Sequence, residues 1–319
     1  MRVLVTGAHG CIGAWVVKQL LDESVDVVIY DIENNSRRLS LILPEERIRK
    51  AEVHVGSIED IDRVKSLVRG RGITHIVHLA GVQIPFCQAN PVLGGLANVI
   101  GTLNVFEAAR DAGSPVKLVY ASSAAVWGPE EAYGDRPISD SDVLLPSTHY
   151  GVFKQANEGN ARAFYMTERI SSIGLRPWSV YGVGRDTGLT SDPTIAARSV
   201  VLKQPFCIRI SGRMDMQYVE DVAAAFVQCA RSSLEGAYAF NLAGDVVGIE
   251  TIIDVLDELR PGASSLITAS GTAIPVAPRL DATSLHRSVP GIPKTTLLDG
   301  FRRTLEHFER LHGEGRLCA

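Results

Sequence analysis

The amino-acid sequence predicts an α/β protein built around a doubly wound parallel sheet, with a smaller domain toward the C-terminal end. Short β-branched runs alternate with helical patterns through the first half of the chain. The predicted strands are continuous apolar runs, which is typical of a parallel sheet covered by helices on both faces. A glycine-rich turn joins the first predicted strand to the first predicted helix. Together these three observations predict the fold class.

The predicted elements of the first half follow in strand–helix order. We expect strands at Val3–Val5, Val27–Tyr30, Val53–Val55, His75–Leu79 and Val116–Tyr120, and helices at Ile12–Leu21, Asp60–Val68 and Leu93–Ala112. The segment 127–149 is rich in glycine and proline, which predicts a long functional loop. A helix over Tyr150–Arg169 and a strand over Ser172–Arg176 follow it. Later, helices are expected at Val219–Arg231 and Leu297–Leu311 among short irregular elements.

The composition excludes several classes of protein. Of 319 residues, 45% are hydrophobic and 21% are charged, which excludes a disordered or fibrous chain. The formal net charge is −4 and no long run of like charge occurs, so the basic surface that nucleic acid requires is absent. We expect no stretch of membrane-spanning length, and the N-terminal apolar run is too short for a signal peptide. The sequence therefore predicts neither a nucleic-acid nor a membrane partner.

The cysteines and histidines do not predict a metal site. Five cysteines are scattered without metal-ligand spacing or a CxxC pair, at Cys11, Cys87, Cys207, Cys229 and Cys318. Such a set is typical of reduced thiols, so we expect a cytoplasmic location. His9 and His149 lie beside motifs, yet neither has a second ligand at useful spacing.

The turn after the first strand reads Gly7-Ala8-His9-Gly10-Cys11-Ile12-Gly13. Glycines there permit a tight turn and let the backbone approach a pyrophosphate at the helix N-terminus. The last glycine allows close packing of the helix on the strand. The spacing is GxxGxxG rather than GxGxxG, and an ordinary glycine-rich turn is the alternative. Its place between strand and helix predicts a Rossmann-type, dinucleotide-binding domain.

Asp31 ends the second predicted strand, about 20 residues after the glycine turn, where a carboxylate accepts hydrogen bonds from an adenosine ribose. Its charge also repels a 2′-phosphate, so the pattern favours NAD over NADP. Arg37 and Arg38 are evidence for the opposite preference, since arginines hold that phosphate, although a solvated pair of loop charges is the alternative interpretation.

These patterns divide the chain near residue 178. Residues 1–178 are expected to form the dinucleotide-binding domain, which residues 219–244 rejoin. Residues 179–319 are expected to form mainly the substrate-binding domain.

Tyr150 and Lys154 occupy positions i and i+4 of a predicted helix, so they lie on one face of it. Alone, such a pair is common. Here it follows a strand that ends in Ala121-Ser122-Ser123. At this point the sequence resembles the short-chain dehydrogenases/reductases, and more narrowly their extended branch, the NAD-dependent epimerase/dehydratase family.

The resemblance covers nearly the whole chain, through motifs that follow one another in a fixed order. They are the glycine turn, His78-Leu79-Ala80-Gly81, the segment from Asn98 to Val105, Ser122 to Gly128, Tyr150 with Lys154, Arg176 to Gly182, Tyr218 to Ala223, and Gly291-Ile292-Pro293 leading into Leu297 to Gly300. Their joint occurrence is highly specific. The resemblance also implies a homodimer, through helices near 93–112 and 150–169.

The resemblance implies hydride transfer between a substrate carbinol carbon and NAD. Tyr150 would act as acid/base, Lys154 would lower the pKa of Tyr150 and hold the nicotinamide ribose, and Ser123 would orient the reacting oxygen. A phenol needs a downward pKa shift of about 3 units to act at neutral pH, and a unit charge about 4 Å away supplies roughly that much. The implied cofactor-binding residues are Gly7, Gly10, Cys11, Ile12, Gly13, Asp31, Ser57, Ile58, Leu79, Ala80, Gly81, Tyr150, Lys154 and Pro177.

Several departures from the family's patterns narrow the activity. Ala124 and Ala125 stand where 4,6-dehydratases carry an Asp-Glu pair, and Ala124 also replaces the cysteine of keto-sugar epimerase-reductases. Both reactions are therefore disfavoured. Ser57 replaces an aspartate that usually contacts adenine, which weakens one cofactor contact.

The chain resembles nucleotide-sugar 4-epimerases most, but three of their substrate positions differ. Ser179 replaces an asparagine, Met214 replaces an arginine, and an arginine expected near Gly271 is missing. A diphosphate needs charge-assisted partners, so these losses point to a smaller substrate without a nucleotide. The remaining candidates for substrate contacts are Gln83, Ser123, Ser179, Arg185, Thr190 and Gln217. Gln83, Arg185, Thr190 and Gln217 could each instead be a solvated loop residue, and Ser123 could be a strand-end serine that caps a turn.

The preferred hypothesis is an NAD-dependent oxidoreductase acting on a small sugar, sugar acid or polyol. A nucleotide-sugar 4-epimerase with a transient keto intermediate is the alternative, and a non-catalytic NAD(H) sensor is a second alternative. Trp127 is expected to be pocket wall or core.

Overall fold

The computed structural model describes residues 1–317, and Cys318 lies outside the described residues. The strands are β1 (Arg2–Thr6), β2 (Asp26–Asp31), β3 (Glu52–Val55), β4 (His75–His78), β5 (Lys117–Ala121), β6 (Ser172–Arg176), β7 (Ser179–Tyr181), β8 (Phe206–Ser211), β9 (Arg213–Tyr218), β10 (Ala237–Asn241), β11 (Asp245–Gly248) and β12 (Ile267–Ala273). Every strand predicted from an apolar run is present, with ends that differ by one residue or less.

The helices cover most of the connections between strands. They are α1 (Cys11–Asp22), α2 (Arg37–Ile42), α3 (Glu45–Ile48), α4 (Ile61–Gly70), α5 (Ile84–Ala89), α6 (Pro91–Gly95), α7 (Gly101–Arg110), α8 (His149–Glu168), α9 (Asp192–Val201), α10 (Val219–Arg231), α11 (Ile249–Leu259), α12 (Thr283–Ser288) and α13 (Leu297–Gly313). One π-helical turn at Leu96–Ile100 joins α6 to α7. The sequence patterns did not predict α9, α11, α12 or the strands around them.

The central sheet has seven strands in the order β10-β6-β5-β4-β1-β2-β3, and all its pairs are parallel. This confirms the predicted doubly wound, Rossmann-type sheet. The chain moves outward in one direction from β1 to β3 and in the other from β4 onward. Ligands of such sheets bind where this reversal leaves a crevice at the carboxyl ends of the strands, which here is between β1 and β4.

The apolar runs are continuous because the sheet is buried on both faces. Val3 and Val5 pack into the core under α1 and α10, whereas Leu4 points into a second core under α4 and α7. All three side chains are fully buried. Successive side chains of a strand point to opposite faces, so a strand covered on both sides needs apolar residues at every position.

The second half of the chain adds two smaller sheets, β11-β9-β7 and β12-β8. Its strand β10 leaves them and pairs in parallel with β6 at the edge of the central sheet. This pairing is consistent with the proposal that residues 219–244 rejoin the dinucleotide-binding domain. The division at residue 178 itself remains a proposal.

Within the described residues, the helical run Pro91–Arg110 is long and apolar enough by length and composition to span a membrane. The expectation that no stretch reaches this length is therefore wrong. Half of its most apolar window is nevertheless buried in the fold, and a core helix of a soluble protein meets the same criteria. Asn98 and Asn104 are buried on it, and the amide of Asn104 donates to the carbonyls of Ile58 and Glu59. The run is weak evidence for a membrane span.

Candidate active site

A cleft opens at the carboxyl ends of β1, β4 and β5. One side, the sheet wall, consists of the turns that follow these strands and the first turns of α8. The other side, the loop wall, consists of the 182–191 loop, residues 274–276 and the strand β7, which is supported by its partner strand β9. Residues lining the cleft include Gly7, Gly10, Cys11, Ile12, Gly13, Arg38, Leu79, Gly81, Gln83, Asn98, Ser123, Tyr150, Lys154, Pro177, Trp178, Arg185, Thr190, Ile274 and Val276.

The glycine turn is shaped for an anion. Gly7 has φ +67°, and a Cβ there would lie 2.6 Å from the backbone nitrogen of Ala80, so only glycine fits between β1 and the β4 turn. Gly10 precedes α1 without a side-chain cap. The first intrahelical hydrogen bond runs from Ala14 to Gly10, which leaves the amides of Cys11, Ile12 and Gly13 without helical acceptors. Such a helix N-terminus binds phosphate.

A second cavity continues from the glycine turn toward Asp31, at the end of β2. One carboxylate oxygen of Asp31 accepts the backbone N–H of His9 at 2.8 Å, which fixes the carboxylate beside the turn. The ring of His9 is buried and its Nδ1 lies 2.8 Å from the carbonyl of Glu33, so His9 has a structural role. Ser57, Ile58, Leu79, Ala80 and Gly81 also line this cavity.

These two cavities meet at the glycine turn. An anion-binding helix end, a fixed carboxylate on one side and an open cleft on the other together match the pyrophosphate, adenosine ribose and nicotinamide of a dinucleotide. The residues present therefore fit the predicted cofactor.

Tyr150, Lys154 and Ser123 meet on the sheet wall, as predicted. Thr148 caps α8 by accepting the N–H of Gly151 at 3.1 Å, so the helix starts just before Tyr150. Lys154 is buried; its Nζ donates to the carbonyl of Ala121 at 2.7 Å and lies 5.4 Å from the ring centroid of Tyr150. Ser123 ends the turn after β5; its hydroxyl accepts the N–H of Ala125 at 3.1 Å and lies close enough to Tyr150 to act on the pKa of the phenol.

The electrostatics of this group differ from the expectation. Burial raises the pKa of Tyr150, while the hydrogen bond with Ser123 and the charge of Arg185 act against that rise. Burial also lowers the pKa of Lys154 to about 8. Lys154 alone therefore does not give Tyr150 the expected low pKa in this structure, because desolvation of the phenolate outweighs nearby positive charge.

Two supporting groups escaped the sequence analysis. The amide of Asn98 donates to the carbonyls of Val82 and Gly94. Its Oδ1 has no partner among the described residues and would lie only 2.6 Å from a Cβ at Gly81. Asn98 begins the segment from Asn98 to Val105, one of the motifs that the chain shares with the family, so the sequence could have indicated its importance.

The second supporting group is a buried ion pair behind the strand that carries Ser123. Arg176 donates two hydrogen bonds of 2.8 Å to Glu158, which also accepts the hydroxyl of Ser122 at 2.6 Å. Arg176 is 3% exposed and Glu158 is 0% exposed, so the pair fixes α8 against β5 and β6. Only the fold brings Glu158 and Arg176 together.

Of the predicted substrate residues, Gln83, Arg185 and Thr190 lie in the cleft with Ser123. Arg185 donates to the hydroxyl of Thr190 at 2.9 Å. Its Nε is buried without a partner, and no carboxylate forms an ion pair with it among residues 1–317. The guanidinium therefore faces the cleft as a positive charge that the described residues do not neutralise.

Ser179 and Gln217 do not line the cleft, which corrects the sequence expectation. Ser179 is fully buried in β7. Gln217 accepts the N–H of Trp178 and donates to Asp215 and the carbonyl of Leu242, so its amide is already occupied. Both side chains point into the protein because β7 and β9 pair within a buried sheet.

The positions at which arginines were expected do not line the cleft either. Met214 is fully buried, and Gly271 lies in β12, packed against the backbone of Arg209. Trp127 is fully buried and its indole N–H donates to Asn241, which makes it a core residue.

Comparison with known proteins matches residues 3–243 to the NAD dependent epimerase/dehydratase family. The UDP-glucose 4-epimerase of Mycolicibacterium smegmatis is 28% identical over 97% of this chain and 98% of its own. The UDP-glucose 4-epimerase of Thermus thermophilus, solved with NAD, is 25% identical with a TM-score of 0.81 over 97% of this chain and 99% of its own. MoeE5, solved with UDP-glucuronic acid and NAD, is 25% identical with a TM-score of 0.80 over the same shares.

Proposed function

The chain belongs to the NAD dependent epimerase/dehydratase family, and from that premise we propose that it epimerises a sugar that carries a carboxylate, by transient oxidation of a secondary hydroxyl. As a member of this family it is an NAD-dependent enzyme. Its relatives include UDP-glucose and UDP-glucuronate 4-epimerases, which supports epimerisation over net oxidation. Family membership also favours an enzyme over a non-catalytic NAD(H) sensor.

In this proposal, Tyr150 takes the proton of the reacting hydroxyl at its phenolic oxygen. Bound NAD supplies the hydride acceptor and a positive charge. Ser123 donates a hydrogen bond to the same oxygen and orients it. Lys154, 5.4 Å from the Tyr150 ring, stabilises the phenolate that forms. The same three groups return the proton when the keto intermediate is reduced.

Arg185 is the observation that carries the choice of an acidic sugar. It lies on the cleft side facing Tyr150, with no carboxylate partner among the described residues. Burial lowers the pKa of Arg185, yet the guanidinium remains charged at neutral pH. The Nε of this half-buried guanidinium is shielded from water without a partner, so a carboxylate ligand would stabilise this site. A planar guanidinium binds a carboxylate through two parallel hydrogen bonds.

A second candidate is net oxidation of a small sugar acid without a nucleotide. The missing contacts for a diphosphate favour it. Within residues 1–317, Arg38 and Arg185 are the arginines that line the cleft, and Arg38 is already paired with Asp186. Met214, at a position where an arginine was expected, is buried in the core.

One experiment separates the two candidates. The enzyme is incubated with UDP-glucuronic acid, UDP-glucose or free glucuronate, while NADH absorbance and the sugar products are followed. Epimerisation predicts an epimerised uronate sugar and at most stoichiometric NADH. Continuous NADH formation with free glucuronate would instead establish a dehydrogenase.

Arg185→Gln tests the carboxylate contact. We expect kcat/KM for the acidic sugar to fall about a hundredfold, since a charge-assisted bidentate contact is lost. The value for the neutral sugar should change less than threefold. Arg198→Gln, on the neighbouring helix α9, is the matched control. Equal losses for both sugars would contradict a carboxylate contact.

We also propose that the enzyme is a homodimer. The helical run Pro91–Arg110 and α8 expose the large apolar side chains Val92, Leu93, Leu96, Ile100 and Val152, which a partner copy would cover. Sedimentation at micromolar concentration tests this, and a monomer would contradict it. The cytoplasmic location predicted from the scattered cysteines remains a prediction.

A further inference from the structure

The two arginines that favoured NADP in the sequence form ion pairs with one residue that is distant in the chain. Arg37 and Arg38 begin α2, and both guanidiniums pair with the carboxylate of Asp186 on the 182–191 loop. Nε of Arg38 donates to Asp186 at 2.9 Å and its Nη2 donates at 2.6 Å. These ion pairs therefore span the cleft, from α2 beside the sheet wall to the loop wall.

The arginines lie at the end of the cleft where a 2′-phosphate would sit. Arg37 and Arg38 line the same cavity as Asp31. The peptide of His9 connects them, because its N–H donates to Asp31 and its carbonyl accepts Nη1 of Arg38 at 3.0 Å. A cation in this position normally selects for NADP, since arginine binds the 2′-phosphate.

We propose that Asp186 determines the dinucleotide specificity of this enzyme: it binds both guanidiniums from across the cleft, so neither is available to a 2′-phosphate. Less positive charge then opposes the repulsion between Asp31 and that phosphate. The residue that sets the preference is far from the cofactor motif in sequence and belongs to the loop wall.

The charges around Asp186 support this assignment. The side chains of Asp186 and Arg38 are 20% and 23% exposed, which leaves their ion pair little screened by water, whereas Arg37 is more exposed. Burial alone would raise the pKa of Asp186, but the hydrogen bond from Arg38 and the charges of both arginines lower it below the ordinary value. Asp186 is therefore ionised at neutral pH and removes one unit of positive charge from the ribose end.

The loop position does not depend on Asp186 alone. The indole N–H of Trp15 donates to the carbonyl of Val183 at 2.8 Å, and Arg38 reaches the hydroxyl of Thr187 at 3.3 Å. Gly188 has φ +102° and packs directly against the side chain of Gln83. A neutral isostere at position 186 should thus leave the loop in place and release the arginines.

The test measures dissociation constants for NAD and NADP by calorimetry, without any sugar, so its outcome is independent of the proposed reaction. In Asp186→Asn we expect the ratio of the NADP constant to the NAD constant to fall about tenfold, because two charged donors become available to the phosphate. Asp142→Asn is the matched control, since Asp142 accepts two hydrogen bonds from Arg136 outside the cleft. Its ratio should match the wild type.

The arginines provide the decisive comparison. Adding Arg37→Ala and Arg38→Ala to Asp186→Asn should restore the wild-type ratio. A ratio unchanged by Asp186→Asn, or a ratio that stays low after both arginines are also removed, would overturn the proposal. Asp186→Ser, which also removes the carboxylate, is the second variant and should lower the ratio in the same direction.

Discussion

The two walls of the cleft are held in place by different kinds of interaction. The sheet wall follows from parallel register: β1 pairs with β2 and β4, so the glycine turn, Asp31 and the β4 turn arrive at one edge together. The loop wall is held by single side chains, such as Trp15 on Val183 and Arg38 on Asp186. Register is a property of whole strands, whereas side-chain ties depend on individual residues, so the loop wall can vary while the sheet wall stays the same.

The two walls also differ in which of their side chains face the cleft. On the sheet wall, Tyr150 and Lys154 reach into the cleft from a capped helix. On the loop wall, Ser179 and Gln217 turn away from the cleft, and Arg185 is the charged group that faces it. Substitutions in β9 should therefore affect stability, and substitutions on the sheet wall should affect the reaction.

The largest effect is expected for Tyr150→Phe. Turnover should fall at least about a thousandfold, roughly 4 kcal/mol of activation free energy, because the proton acceptor is lost. The dissociation constant for NAD should change less than twofold. Tyr165→Phe, further along α8, is the control and should keep full activity. A Tyr150→Phe enzyme with wild-type turnover would refute the role of this phenol.

The next largest effect is expected for Glu158→Ala. It leaves the Arg176 guanidinium buried without its main partner, which should cost about 3 kcal/mol of unfolding free energy. Urea denaturation measures the loss, and Glu168→Ala, exposed at the end of the same helix, should change stability by less than about 0.5 kcal/mol. A loss no larger than that of the control would show that the buried pair does not hold the sheet wall.

The pH dependence of the unfolding free energy tests the interior of the loop wall at Asp215. Burial raises the pKa of Asp215 to about 7, although Gln217 and the N–H of Gly244 donate to its carboxylate. The folded protein therefore binds more protons than the unfolded chain between about pH 4 and pH 7, and wild-type stability falls as pH rises through that window. Asp215→Asn lacks this titration, so its stability relative to wild type should rise by a few kcal/mol over the window, at about 1.4 kcal/mol for each pH unit. A difference independent of pH would contradict the raised pKa.

Gln217→Ala should have the smallest effect. It tests directly whether this loop-wall residue contributes to stability or to substrate binding. Losing its three hydrogen bonds should cost about 1 to 2 kcal/mol of unfolding free energy, measured by urea denaturation. KM for the sugar should remain within twofold of the wild type, because this amide does not reach the cleft. A large rise in KM with unchanged stability would return Gln217 to the substrate site.

The sheet wall can be derived from the amino-acid sequence. Apolar runs, the glycine turn and the position of Asp31 are local patterns, and parallel pairing turns their order along the chain into their order in space. The spacing of Tyr150 and Lys154 likewise fixes their shared helix face.

The loop wall, in contrast, depends on contacts that form only in the folded protein. Whether Ser179 and Gln217 reach the substrate, whether Arg185 finds a partner, and whether Asp186 neutralises Arg37 and Arg38 all depend on contacts between residues far apart in the chain. No local spacing encodes such contacts, because a loop residue's neighbours are set by the packing of the elements that the loop joins. The family and cofactor therefore followed from sequence, whereas the charge balance that governs specificity did not.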